Sequence, residues 1–180
     1  MNLTDARELL HAWASNPGLR HHMETVAACM ASYARDLAPN DIERWSICGL
    51  LHDLDWEKHP TKDEHPRVGV AHLKSLGVDE EILDAIMGHA DYTGAPRTSA
   101  MSKHLFACDE LAGFIVACGK VRPDGLATLE ASSVKKKLKN LNFAAAVNRE
   151  DITNGAAAIG AEFDAHCQRC IEAVRVAERT

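Results

Sequence analysis

Gly49-Leu50-Leu51-His52-Asp53-Leu54-Asp55 closes an apolar run that starts at Ile42. Ile42, Trp45, Ile47, Leu50 and Leu51 recur at helical spacing, so the run reads as a helix. It ends on an imidazole and a carboxylate side by side. At a helix end the backbone leaves its regular turn, and two adjacent side chains can lean toward one point. A lone His-Asp pair means little. It gains meaning when other histidines and a distant carboxylate also arrive on apolar faces.

Upstream, Pro39-Asn40-Asp41 separates this helix from another and supplies a cap. The earlier helix runs to about Leu37, with Leu19, Met23, Val26, Met30, Ala34 and Leu37 as its apolar stripe. Asn16 can cap it and Pro17 suits its first position. His22 falls three after Leu19 and four before Val26, so it faces inward, whereas His21 sits on a more polar side. An inward histidine alone is more often a satisfied core residue than a ligand. Residues 2–14 form a first amphipathic helix.

Downstream, residues 55–64 are polar and read as a loop. His65-Pro66 then opens a helix, with Pro66 at its first position and His65 at its mouth. Gly69 permits a close backbone approach. Leu76-Gly77 ends that helix, and Asp79 caps the next, which finishes at Gly88-His89-Ala90-Asp91 before a turn-rich loop, Tyr92 to Pro96. Residues 100–118 make the most apolar helix, interrupted by Asp109 and Glu110. Asp109 shares the stripe of Leu105 and Ala112, where an unpaired carboxylate is expensive. It needs a cation or a strong donor nearby; as the cation, an arginine and a metal are about equally good answers. Glu110 points to solvent or a salt bridge.

After a break at 121–125 comes a short helix from Ser132 or Ser133 carrying Lys135, Lys136, Lys137 and Lys139. Another starts at Asn148, and a last one covers 161–178. Six cysteines lie inside these helical patterns, as buried thiols rather than a disulfide framework. Cys167 and Cys170 have CxxC spacing beside His166, but they share a stripe with Phe163, Ile171 and Val174, so packing is preferred to zinc.

The 180 residues suit one domain, and abundant Ala, Leu and Glu with few β-branched runs favour an all-α fold. A net charge of −6 argues against a stable nucleic-acid partner. No apolar run spans a bilayer and no signal-peptide pattern opens the chain, so a cytoplasmic protein is expected.

The polar residues that packing leaves unexplained are His22, His52, Asp53, His65, His89 and Asp109. Imidazoles with carboxylates suit a divalent ion such as Fe, Mn, Zn, Co or Ni better than calcium or magnesium. Their order closely resembles the HD-domain metal-dependent phosphohydrolases. That family has a histidine on an early helix, then His-Asp, then a distant aspartate on a buried helix; His22, His52-Asp53 and Asp109 match these. His65-Pro66 with Gly69, and His89 in Gly-His-Ala-Asp, resemble the extra histidines of binuclear members, such as the HD-GYP cyclic-dinucleotide phosphodiesterases and the HD-type diadenosine tetraphosphate hydrolases. The likeness covers 19–116, with 121–180 as a helical extension. Two features depart from it. The lysine that often follows His-Asp is absent, with Asp55 nearby instead, and the Gly-Tyr-Pro element is missing, so cyclic-dinucleotide specificity does not carry over.

The resemblance implies a helical bundle holding one or two metals. His22, His52, Asp53 and Asp109 would bind the first, and Asp53 would bridge to a second on His65 and His89. A metal-activated water would hydrolyse a nucleotide or other small phosphate ester. Asp55 would be a general base or a partner of a ligating histidine; a surface loop carboxylate is the plain alternative. Arg97, Lys103, Arg122, Lys136 and Lys137 are candidate phosphate contacts, although a lysine run is usually a solvated helix face. Two other readings are a di-iron oxygenase and a non-catalytic nucleotide or metal sensor; the latter usually shows lost ligands, and none is missing here. The Ala-rich C-terminal half is compatible with internal packing or with an oligomer.

Overall fold

A computed structural model describes residues 1–178, and its described residues hold helices and turns but no strand. The helices are α1 (Leu3–Trp13), α2 (Pro17–Leu37), α3 (Ile42–Leu51), α4 (Arg67–Ser75), α5 (Glu80–Gly88), α6 (Ala100–Lys120), α7 (Ala131–Leu138), α8 (Arg149–Ala158) and α9 (Phe163–Ala177). A short 3-10 turn, Asp91–Thr93, follows α5.

Several ends form by the expected chemistry. The Asn16 side chain accepts from the Gly18 and Leu19 amides with Pro17 in the first turn. Asp79 accepts from the Glu81 amide, and Asn148 from the Glu150 and Asp151 amides. Each satisfies donors that a helix start leaves open. Two ends differ from expectation. Asp41 makes no side-chain cap on α3; its carboxylate lies 3.2 Å from Arg44 instead. Pro66 stands one residue before α4, which begins at Arg67.

The core lies between α2, α3, α5, α6 and α9. α2 packs along α3, α6 and α9, and α6 also meets α5 and α8. Met23, Val26, Met30, Leu50, Leu51, Leu105, Leu111 and Phe114 are fully buried there. Each such side chain contributes on the order of 1.5–3 kcal/mol by leaving water. Gly49 makes the α2–α3 contact possible: a Cβ at this position would sit 2.9 Å from the backbone of Ala27. The close crossing fixes the end of α3, and therefore His52, against α2.

α9 is tied to the same core through His166. Its Nε2 donates to the Ala107 carbonyl at 2.9 Å, and the Tyr33 hydroxyl donates to its Nδ1 at 2.6 Å. Both ring nitrogens are thus engaged, and burial holds His166 below its ordinary pKa, as a neutral ring requires. All six cysteines are free and buried. Cys167 and Cys170 are core residues, in keeping with the packing reading.

Candidate metal centre

Five structural elements deliver polar side chains to one point beside this core. α2 brings His22, the end of α3 brings His52 and Asp53, and α6 brings Asp109. The connection before α4 brings His65, and the residue capping α5 brings His89. His22 Nε2 is 3.3 Å from His52 Nε2. Asp109 Oδ1 lies 3.0 Å from His22 Nε2 and 3.4 Å from His52 Nε2. On the other side, His65 Nε2 and His89 Nε2 are 3.2 Å apart.

Asp53 stands between the two sets. Its Oδ2 is 3.6 Å from His52 Nε2 and 3.9 Å from His22 Nε2. Its Oδ1 is 3.3 Å from His65 Nε2 and 3.5 Å from His89 Nε2. Two groups of potential ligand atoms result, His22–His52–Asp53 and Asp53–His65–His89, each with all atoms within 4.8 Å. His21, by contrast, is half-buried and lies 3.8 Å from Glu178, away from these ligand groups.

Three of the rings are oriented from behind. His52 Nδ1 donates to the Gly49 carbonyl at 2.8 Å, and His89 Nδ1 to the Ile86 carbonyl at 2.5 Å. His65 Nδ1 donates to Asp55 Oδ1 at 2.7 Å. A carbonyl or carboxylate partner fixes the tautomer with hydrogen on Nδ1, leaving the Nε2 lone pair aimed at the centre. Donors held this way fit a divalent metal.

Asp55 is fully buried, not a surface loop carboxylate. Its second oxygen accepts from the Gly69 amide at 2.6 Å. A Cβ on Gly69 would come within 3.1 Å of that carboxyl group, so glycine lets α4 close over it. With both oxygens turned to His65 and Gly69, Asp55 orients a ring and does not reach the cavity.

The electrostatics follow from crowding. Burial opposes charge on His52, but Asp53 and Asp109 beside it prevail and push its pKa up to about 9. Burial would raise the Asp53 and Asp109 carboxyls, yet the neighbouring histidines hold both well below the usual range. Without a cation, the ionised carboxylates are matched by a proton held on the His52 imidazole.

A cavity of about 600 Å³ opens over the centre, with His22, Asp53, His89 and Asp109 among its lining residues. Trp56, Lys62, Tyr92, Glu110 and Asp151 also line it. None of these five emerged from sequence as a candidate site residue. Trp56, Lys62 and Tyr92 sit in polar or turn-rich loops, and only their chemistry as exposed rings and a cation could have flagged them. Glu110 accepts from the Asn148 amide at 3.2 Å; burial, then the charge of Asp109, raises its pKa to about 7.

The cationic candidates do not gather here. Arg97 braces the loop after His89: its Nε donates to the Gly88 carbonyl at 2.6 Å, its Nη2 pairs with Asp91, and its guanidinium stacks 3.5 Å from the Phe106 ring centre. Lys103 is not among the cavity's lining residues. Arg122, Lys136 and Lys137 line a separate concavity that shares no residue with this one. The reason is topological, since α7 packs on α9 and on α6, while the centre lies among α2, α3, α5 and α6.

The profile of the HD domain family matches residues 19–116, which include all six convergent residues. Ribonuclease Y of Lawsonia intracellularis (strain PHE/MN1-00) is 32% identical over 119 residues, or 66% of this chain. The matched part is 21% of that relative, so the chain spans only about a fifth of its length. No solved structure matches the chain.

Proposed function

The chain belongs to the HD domain family, and on that premise we propose that it is a metal-dependent phosphohydrolase acting on a nucleotide or another small phosphate ester. The observation that carries this reading is the sharing of Asp53 between two three-residue groups of ligand atoms. His22, His52, Asp53 and Asp109 would hold one divalent cation, and Asp53, His65 and His89 a second. The nitrogen-rich set suits Fe, Mn, Zn, Co or Ni. A cation bound there supplies a water acidic enough to ionise near neutral pH and takes up charge on phosphoryl oxygens.

The remaining work falls to the chain's own side chains. Asp53 directs one oxygen to each histidine pair and so sets the spacing of the two groups. The backbone carbonyls behind His52 and His89, and Asp55 behind His65, keep each Nε2 lone pair presented. The fully buried side chains of α2, α3 and α6 shield the rear of the centre from water, leaving the cavity as the route of approach. A phosphate ester entering there meets the side of the centre formed by His22, Asp53, His89 and Asp109.

An RNA phosphodiester is the second substrate class, favoured by the name of the 32% identical relative. Protein purified without chelators should release phosphate from a small ester only with divalent metal, and His52→Ala and Asp109→Ala should abolish that release. Metal-independent release, or none from any phosphate ester with any of the five metals, contradicts the reading.

A further inference from the structure

We infer that the cavity over the centre selects a phosphate monoester bearing one phosphoryl group on a flat ring system, the chemistry of a nucleoside monophosphate, with Trp56 and Tyr92 as ring-binding walls and Lys62 as the phosphate contact. The inference rests on the phosphohydrolase reading and narrows its substrate.

The first observation is where the exposed rings are. Among the described residues, the large hydrophobic side chains that remain exposed include only two aromatics, Trp56 at 42% and Tyr92 at 39%. Both line this cavity. The other aromatic side chains are buried or half-buried. Trp56 stands edge-on to His65, with ring centres 4.8 Å apart, so it reaches directly from the proposed metal centre toward solvent. A wet ring beside a polar centre offers a stacking face that any nucleobase can use.

The second observation is charge. Among the described residues, Lys62 is the only lysine or arginine lining the cavity, and its Nζ lies 5.5 Å from the Tyr92 ring centre. Phosphate contact and ring contact therefore come from one side. Beyond the ligands, the lining carboxylates are Asp91, Glu110 and Asp151. Arg97 neutralises Asp91. Glu110 and Asp151 both lean on Asn148, through its amide and its side chain, and neither makes an ion pair among the described residues. One phosphoryl group can be served by the centre and Lys62. Further phosphates of a polyphosphate, or the backbone of an RNA strand, would face those carboxylates with no cation to meet them. The cavity's volume of about 600 Å³ lies inside the range of roughly 300–1,000 Å³ that holds small ligands.

The test uses the full chain loaded with Mn²⁺ and four substrates: adenosine 5′-monophosphate, glycerol phosphate, adenosine 5′-triphosphate and a short RNA. The monophosphate should be preferred in kcat/KM over the other three. Trp56→Ala and Tyr92→Ala should each raise its KM about 10-fold, and should raise the KM for glycerol phosphate, which has no ring, far less. Lys62→Gln should raise KM for both monoesters. Hydrolysis of glycerol phosphate, triphosphate or RNA as efficiently as the monophosphate overturns the inference while the phosphohydrolase reading stands. Adenosine itself, which has no phosphate, provides a readout independent of turnover. It should quench tryptophan fluorescence in the wild type and leave Trp56→Phe unchanged. If no ester is hydrolysed, that quenching alone decides: its presence upholds the ring site, and its absence overturns it.

Discussion

The two halves of the centre are built from different material. His22, His52 and Asp109 stand on or at the end of helices packed into the core, with Gly49 locking α3 onto α2. His65 stands in the connection before α4, and His89 caps the short α5 as His52 caps α3. Each of these three rings has a hydrogen bond behind it, but only the His65 and His89 side adds the loop contacts of Asp55 and Arg97. The first half inherits its rigidity from packing. The second is positioned by a handful of local contacts: Asp55, the Ile86 carbonyl and the Arg97 brace. Replacing one polar site residue leaves the packing of the first half in place, whereas it can release a loop held by a few hydrogen bonds.

That contrast ranks the expected effects. Asp53→Ala removes the residue common to both halves and should cost the most. Metal content should fall to near zero, and activity by more than the roughly 10²–10³-fold typical of one lost transition-state contact. A variant that still holds two metals would break the comparison, because Asp53 would then not be shared. Next, Asp55→Asn removes the negative charge and one of the two acceptor oxygens that serve His65 and the Gly69 amide, but leaves the other half untouched. Loss of such a supporting partner typically costs about 10–100-fold in metal affinity. Only one of the two metals should weaken, as titration with Mn²⁺ would register; equal weakening of both would mean that the halves are not independently supported.

pH should sharpen the difference through His52, whose pKa in the metal-free protein is raised to about 9 from 6.5. A raised histidine pKa stabilises the fold below the unfolded value and loses that contribution as pH climbs to the folded one. The metal-free protein should therefore lose stability between about pH 6.5 and 9. Metal requires the neutral ring, so affinity of the helix-built half should rise over that same window, by up to about tenfold per pH unit. Thermal melts with and without metal would reveal the opposite slopes, and parallel slopes would refute this assignment. The smallest effect is expected from Arg97→Ala, which releases the loop after His89 by removing a hydrogen bond, an ion pair and a ring contact. A loss of about 1–2 kcal/mol is expected, seen as a lower Tm with metal still bound.

The same contrast decides what could be read from sequence. Helix faces carry a period, so the spacing of Leu19, His22 and Val26, or of Leu105, Asp109 and Ala112, is enough to announce inward polar residues. Asn16, Asp79 and Asn148 announce helix starts. His65 and His89 have no such periodic signal; they stand out as histidines at helix ends that packing leaves unexplained, and their reading as a second ligand set comes only through the resemblance. The orienting role of Asp55 depends on a backbone amide fourteen residues away in the chain, that of Gly69, which no local rule reveals. Arg97 is open to misreading because a cation in a histidine-bearing loop looks like a phosphate contact until Asp91 and Phe106 are seen to occupy it. Lys136 and Lys137 cluster in sequence, but their helix packs elsewhere. Trp56, Lys62 and Tyr92 come from loops whose mutual placement only the tertiary structure supplies.

The most direct test of a centre shared through Asp53 is metal content per chain by elemental analysis, for the wild type, His65→Ala and His52→Ala. About two metals in the wild type, with about one retained in His65→Ala and His52→Ala losing the metal of the other half, is the predicted result. One metal in the wild type, unchanged by His65→Ala, would contradict it.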